Sequence, residues 1–245
     1  MLKWDDRRVL IVPGDHDSSL LFCVEHFIKA YQEAVLLHGV FSVALSGGST
    51  PKSVFALLTT PPYSSQIDWS LVHLFWSDER SVGVDNPDSN FHMAMEAGFA
   101  KVPIPASHIH RMVAEQDIET NAELYEDFLR SHLHGKGLDL VLLGMGEDGH
   151  TASLFPHTEA LYVKDRWVVA NYVPQKNTWR MTFTFSCINA SKHIAIYVLG
   201  ESKKEMLEQI FHSKKPVYPI EFIGTKEHQA VWIADKKAAA LLSIS

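Results

Sequence analysis

A chain of 245 residues with 46% apolar side chains can bury a full core, and its 21% charged residues and lack of repeats exclude a low-complexity or disordered character. The formal net charge of −7 argues against a nucleic-acid partner, which requires a basic face. No apolar run approaches the ~18 residues of a membrane span or the length of a signal peptide, and Cys23 and Cys187 form neither metal-ligand spacing nor a disulfide framework. A single cytoplasmic α/β domain over residues 1–245 is expected.

Residues 9–12 read as a short strand. Asp17 then caps a helix whose apolar positions, Leu20, Leu21, Val24, Phe27, Ile28, Tyr31 and Val35, recur at helical spacing as far as Gly39. Phe41, Val43 and Leu45 make a strand followed at once by Ser46, Gly47, Gly48, Ser49, Thr50 and Pro51, with Pro51 expected at the first helical position. Two glycines ahead of a helix leave N–H groups uncovered, the Ser49 and Thr50 hydroxyls add donors, and the helix dipole favours an anion, so the turn suits a phosphate. The same residues also suit a plain strand-to-helix turn with a Ser or Thr cap. It is not a Walker loop, because no Gly-Lys-Ser/Thr follows.

Residues 71–76 form a third strand that ends in Ser77, Asp78, Glu79 and Arg80, with Asp88, Ser89 and Asn90 close behind. The rigid fork of Arg80 suits a phosphate or carboxylate; equally, Asp78, Glu79 and Arg80 suit a surface ion pair. Helical spacing marks residues 90–99 and 117–133, the second burying Tyr125, Phe128 and Leu129. His108 with His110, and His132 with His134, form H-x-H pairs. No Cys or third ligand accompanies either at recognisable spacing, so no metal site is expected.

Most of the chemistry gathers in residues 138–156, LDLVLLGMGEDGHTASLFP. An apolar run over 140–143, too short for a helix, reads as a buried parallel strand that empties into a loop holding Gly144, Gly146 and Gly149. The loop presents His150 behind Asp148, a site candidate because ligands gather at the carboxyl ends of parallel strands; a tight turn with a surface His is the plainer alternative. The three glycines fit G-x-G-x-x-G, but Pro156 cuts short any following helix and Glu147 and Asp148 would repel a pyrophosphate, so no nicotinamide is expected. Beyond it, residues 167–173 and 180–185 read as strands, with Lys176 and Arg180 flanking their turn. Residues 194–199 form another strand that Gly200 breaks. Lys203 and Lys204 then fall in the first turn of a helix running to about Phe211, where a nearby anion would offset their conflict with the dipole. Residues 231–234 form the last strand, before Asp235.

LSGGSTP at 45–51, WSDERSV at 76–82 with DSN at 88–90, GMGEDGHTASLFP at 144–156, Arg180 with Thr182, Gly200 with Lys203, and WIADKKAA at 232–239 resemble the 6-phosphogluconolactonase family over nearly the whole chain. The first and third of these pieces are shared with the wider group that includes glucosamine-6-phosphate deaminases. The run after the His separates the branches: lactonases resemble His-Thr-Ala-Ser-Leu-Phe-Pro, whereas deaminases carry an acid that residues 150–156 lack. In one departure, Asn177 and Thr178 follow Lys176 where many lactonases have a proline pair.

The resemblance implies a Rossmann-like three-layer α/β sandwich with a mostly parallel central sheet, and hydrolysis of 6-phospho-D-glucono-1,5-lactone to 6-phosphogluconate in the oxidative pentose phosphate pathway. An activated ester needs no covalent nucleophile, so His150 is expected as the general base for water, with Asp148 orienting it. Gly47, Gly48, Ser49, Thr50, Asp78, Arg80, Asn90, Gly146, Arg180 and Lys203 are expected around the substrate, with Arg80, Arg180 and Lys203 at its phosphate end. No cofactor and no metal is expected, and the chain is expected to act as a monomer without nucleic-acid or membrane partners. The rival readings are an amino-sugar-phosphate deaminase or isomerase using Asp78 as carbon base, and a sugar-phosphate-binding module; a serine hydrolase is excluded because no G-x-S-x-G occurs.

Overall fold

Short apolar runs become strands and longer amphipathic stretches become helices in the computed structural model, which describes residues 2–242. The strands are β1 (Leu2–Lys3), β2 (Arg8–Ile11), β3 (Phe41–Leu45), β4 (Val72–Trp76), β5 (Asp78–Arg80), β6 (Leu140–Gly144), β7 (Val168–Val173), β8 (Thr178–Phe183), β9 (His193–Val198) and β10 (Ala230–Ala234). The helices are α1 (His16–His38), α2 (Ser49–Leu58), α3 (Asn90–Ala97), α4 (Ile118–His132), α5 (Phe185–Asn189) and α6 (Lys204–His212).

Seven strands form the central sheet in the order β1, β2, β10, β9, β6, β3, β4, and every pairing in it is parallel except that of β1 with β2. A parallel sheet is covered on both faces, which is why β3 and the apolar part of β6 are buried without interruption. α1 and α2 pack on one another, α1 against β10 and β3 and α2 against β9, while α4 packs on β7 and β8. The architecture is a three-layer α/β fold with a mostly parallel central sheet.

Most element boundaries fall within a residue or two of the sequence expectation, and three of the differences have a clear local cause. Asp15, not Asp17, caps α1, accepting from the Ser18 N–H at 3.0 Å; Asp17 lies in the first turn, where its charge still suits the dipole. α2 begins at Ser49, so Pro51 is its third residue and Gly48 its cap. β8 stops at Phe183 because Thr184 turns to cap α5, its hydroxyl accepting from the Cys187 N–H.

The larger difference follows β4. Asp78, Glu79 and Arg80 form a strand not expected from the sequence, and with β8 and β7 they make a second, antiparallel sheet. Ser77 passes the chain between the sheets: its N–H donates to the Leu45 carbonyl at 2.8 Å and its own carbonyl accepts from the Phe183 N–H at 2.8 Å. The surface ion pair is replaced by a buried staple. Glu79 Oε1 accepts from the Arg80 and Asn90 N–H groups, both at 2.7 Å, and Oε2 from the Ser89 hydroxyl at 3.0 Å and the Phe91 N–H at 2.8 Å. Burial pushes this carboxyl up from its ordinary value, and the four donors pull back only part of that rise. The bonds satisfy free N–H groups at the start of α3 and anchor that helix to β5.

Because all four partners donate, Glu79→Gln places an amide NH₂ against donors. The expected cost is about 1–3 kcal/mol of unfolding free energy, read from urea denaturation of the two proteins; unchanged stability would show that the carboxylate does not hold those bonds.

Candidate active site

Parallel strands point their carboxyl ends one way, so the turns leaving β3, β4, β6 and β9 meet along one edge of the central sheet. They enclose a hollow of about 210 Å³ whose wall includes Gly47, Gly48, Asp78, Arg80, Asn90, Gly146, His150 and Lys203. A second hollow of about 500 Å³ shares Asp78, Arg80, His150 and Ala152 with the first and adds Arg180, so the two form adjoining lobes of one cleft. Size alone does not single it out, since a hollow of about 600 Å³ lies elsewhere, between His38 and Lys192. The chemistry of its walls does.

His150 is built from its own loop. Its Nδ1 lies 2.5 Å from Asp148 Oδ1, and its ring stacks on Phe155 with centroids 3.9 Å apart. The Gly146 N–H donates to the His150 carbonyl at 2.9 Å, which closes the loop on itself. A side chain at Gly146 would bring a Cβ within 2.0 Å of His150 Nδ1, so the tight approach requires glycine there. Asp148 lines neither lobe; it stands behind the imidazole. Burial opposes its ionisation, but the hydrogen bond and charge of His150 outweigh that and hold the carboxyl below its ordinary value. With Nδ1 engaged by a carboxylate, Nε2 is the nitrogen left for the cleft. No helix follows this loop at 151–156, so a dinucleotide cradle lacks its helix.

Asp78 is buried and held from both sides: Ser153 Oγ donates to Oδ2 at 2.7 Å, and Asn90 Nδ2 donates to Oδ1 at 3.2 Å and to the backbone carbonyl at 2.8 Å. Asn90 in turn presses on the glycine turn, where a Cβ at Gly47 would fall 1.9 Å from Asn90 Oδ1. Gly48 caps α2 without a side-chain bond, leaving the N-terminal N–H groups of α2 without an intrahelical partner. Ser49 and Thr50, expected beside the substrate, line neither lobe and lie one step outward in the first turn of α2.

The cations are arranged against their own interest. Arg80 of β5 and Arg180 of β8 are directly opposed in the ladder, and like charges so placed repel. Burial first, and Arg80 second, lower the Arg180 pKa from its ordinary value. Arg80 donates through one terminal nitrogen to the Asp88 carbonyl at 2.6 Å, yet the Nε atoms of both arginines are buried without a partner. An anion between or before them would satisfy both deficits. Of the two lysines after β9, Lys204 pairs with Glu201 at 3.0 Å, whereas Lys203 faces the inner lobe. Asp235, the residue after β10, accepts from the Gly200 N–H at 3.0 Å and so fixes the turn that carries Lys203.

Sequence reasoning did not single out Ser46, Met145, Ser153 or Phe155 as site residues, although all four line the cleft. The signal for Ser153 and Phe155 was the run after His150 itself. Lys176 lines the outer lobe but is exposed, and the following Asn177 takes a left-handed φ of 47°, which proline cannot adopt.

Comparison with known proteins agrees over nearly the whole chain. The family described as glucosamine-6-phosphate isomerases/6-phosphogluconolactonase matches residues 15–232. A 6-phosphogluconolactonase of Nostoc sp. is 39% identical, with 97% of this chain and 100% of that one covered. The 6-phosphogluconolactonase of Chlamydia pneumoniae is 34% identical over 95% of this chain and 90% of that one. The solved structure of 6-phosphogluconolactonase from Trypanosoma cruzi superposes with a TM-score of 0.86 at 26% identity, covering 98% of each chain. On this extent of agreement, the chain belongs to the glucosamine-6-phosphate isomerase/6-phosphogluconolactonase family.

Proposed function

We propose that this protein hydrolyses 6-phospho-D-glucono-1,5-lactone to 6-phosphogluconate, with water as the nucleophile. The observation that carries the reading is one cleft wall on which an imidazole backed by a carboxylate, His150 with Asp148, stands beside Arg80 and Arg180, whose buried Nε–H groups have no partner. The names of the relatives support the substrate. The intact His-Thr-Ala-Ser-Leu-Phe-Pro run at 150–156, without the acid of the deaminases, supports the lactonase branch.

In this mechanism His150 Nε2 takes a proton from water as its oxygen attacks C1 of the lactone. The carbonyl oxygen becomes an oxyanion, which donors and cations of the cleft stabilise. Collapse of the tetrahedral intermediate breaks the bond from C1 to the ring oxygen, which takes the proton from the imidazolium and becomes the 5-hydroxyl. The carboxylic acid so formed ionises near neutral pH and releases a proton. Asp148 holds Nδ1–H and stabilises the transient imidazolium. The glycine turn at the head of α2, with Arg80, Arg180 and Lys203, holds the phosphate. No step requires a Lewis acid. The competing role for Asp78, abstraction of a proton from carbon, is disfavoured by its engagement with Ser153 and Asn90.

Two sets of variants test the assignment. His150→Gln is expected to lower kcat by ~10²- to 10⁴-fold while changing unfolding free energy by less than ~1 kcal/mol. Asp148→Asn leaves Nδ1 without the carboxylate that orients the ring and stabilises the transient imidazolium, so kcat is expected to fall with little change in KM. Near wild-type turnover in His150→Gln would remove it as the base. Separately, Arg180→Ala and Lys203→Ala are expected to raise KM more than they lower kcat, because a phosphate remote from the scissile bond is held alike in ground and transition states. Equal losses in kcat at unchanged KM would contradict that role.

A further inference from the structure

At the opposite end of β4 from the cleft, four imidazoles gather from three separate segments. His73 is the second residue of β4, His108 and His110 lie on the strip of chain that runs beside β4 through a parallel bridge from Ile109 to Leu74, and His132 ends α4. The strip is pinned: the His110 N–H donates to the Leu74 carbonyl at 2.9 Å and the Tyr125 hydroxyl to the His110 carbonyl at 2.8 Å. His73 Nδ1 and His110 Nε2 are 3.3 Å apart. One ring nitrogen from each of His73, His110 and His132 lies within 4.8 Å of the other two. His108 stacks on His73 with centroids 3.8 Å apart, and its Nδ1 is buried without a hydrogen-bond partner. Phe75 and Phe128 flank the group on its apolar side. None of the four imidazoles is ion-paired to a carboxylate among the described residues.

We propose that His73, His110 and His132 form a binding site for a divalent transition-metal ion of the zinc type, with His108 as the fourth imidazole within reach. Zinc bound to imidazole nitrogen at ~2.0–2.1 Å in a tetrahedron separates its ligand atoms by about 3.3 Å. The His73 and His110 nitrogens already stand at that separation. His132 sits at the end of a helix and closes the remaining gap of at most about 1.5 Å by rotating its side chain. An all-nitrogen donor set without carboxylates suits zinc, cobalt, nickel or copper and does not suit magnesium or calcium, which take oxygen ligands. The sequence expectation of no metal rested on the lack of a third ligand near either H-x-H pair; the third ligand is His73, 37 residues ahead of His110. The site would tie β4 and the strip beside it to α4, a structural role separate from the proposed chemistry at His150.

The test is titration of the chelator-treated protein with Co²⁺, followed by its visible absorption and by equilibrium dialysis. The expected result is one Co²⁺ per chain with the spectrum of a tetrahedral nitrogen site, displaced by Zn²⁺ and not by Mg²⁺. His110→Gln and His132→Gln are each expected to weaken binding at least 10-fold, whereas His150→Gln leaves it unchanged. Far-UV circular dichroism and melting of each metal-free variant establish that it is folded; should His110→Gln fail this check, His132→Gln at the half-exposed helix end carries the test. The proposal is overturned by the absence of saturable binding, by binding that survives both cluster substitutions, or by binding lost in His150→Gln instead.

Discussion

Ser77 is the joint on which the site depends. It is fully buried, its N–H and hydroxyl both donate to the Leu45 carbonyl at the end of β3, and its carbonyl accepts from Phe183 of β8. One residue therefore ends the parallel ladder and starts the antiparallel one. That change of sheet carries Asp78, Glu79 and Arg80 across the mouth of the central sheet instead of into solvent. Glu79 then locks the start of α3, α3 supplies Asn90, and Asn90 bonds to Asp78 and packs closely against the turn at Gly47. The cleft is a consequence of this chain of bonds, each member of which is buried and satisfied within the protein.

Against that satisfied frame, the unsatisfied atoms stand out. Arg80 and Arg180 oppose each other with buried Nε–H groups unpaired, and the head of α2 lacks a side-chain cap. A fold does not gain stability from two adjacent guanidiniums; it holds them because neighbouring bonds over-determine their positions. Such an arrangement is preorganised for an anion, and binding one relieves repulsion as well as making new bonds. The His150 loop is prepared differently. Its strain is avoided by glycine at 146 and its imidazole is fixed by Asp148 on one edge and Phe155 on one face.

Much of this was legible in the chain. The apolar runs of β3 and β6 announce buried parallel strands, α1 is written in its spacing, and the glycine turns at 46–48 and 144–149 fall at strand ends, where ligand sites gather. What was not legible depends on partners distant in sequence. On local charge alone Asp-Glu-Arg suits a surface ion pair as well as an anion site, and donors at Ser89, Asn90, Phe91 and Ser153, remote from it in sequence, help make burial of the two acids tolerable. The opposition of Arg80 and Arg180 is a register between β5 and β8, and no local pattern encodes it. The histidine cluster was hidden for the same reason. Spacing rules search along one segment, whereas His73, His110 and His132 come from a strand, an edge strip and a helix end.

Water attack at a lactone carbonyl within this cleft is tested by comparing the two chemistries of the family in one preparation. Proton release is followed in a weakly buffered solution on adding freshly made 6-phosphogluconolactone, with the enzyme-free rate subtracted at the same pH, and ammonia release is followed on adding glucosamine 6-phosphate. Lactone hydrolysis in this cleft requires acidification far above the spontaneous rate and no ammonia. Ammonia release without accelerated acidification would contradict it.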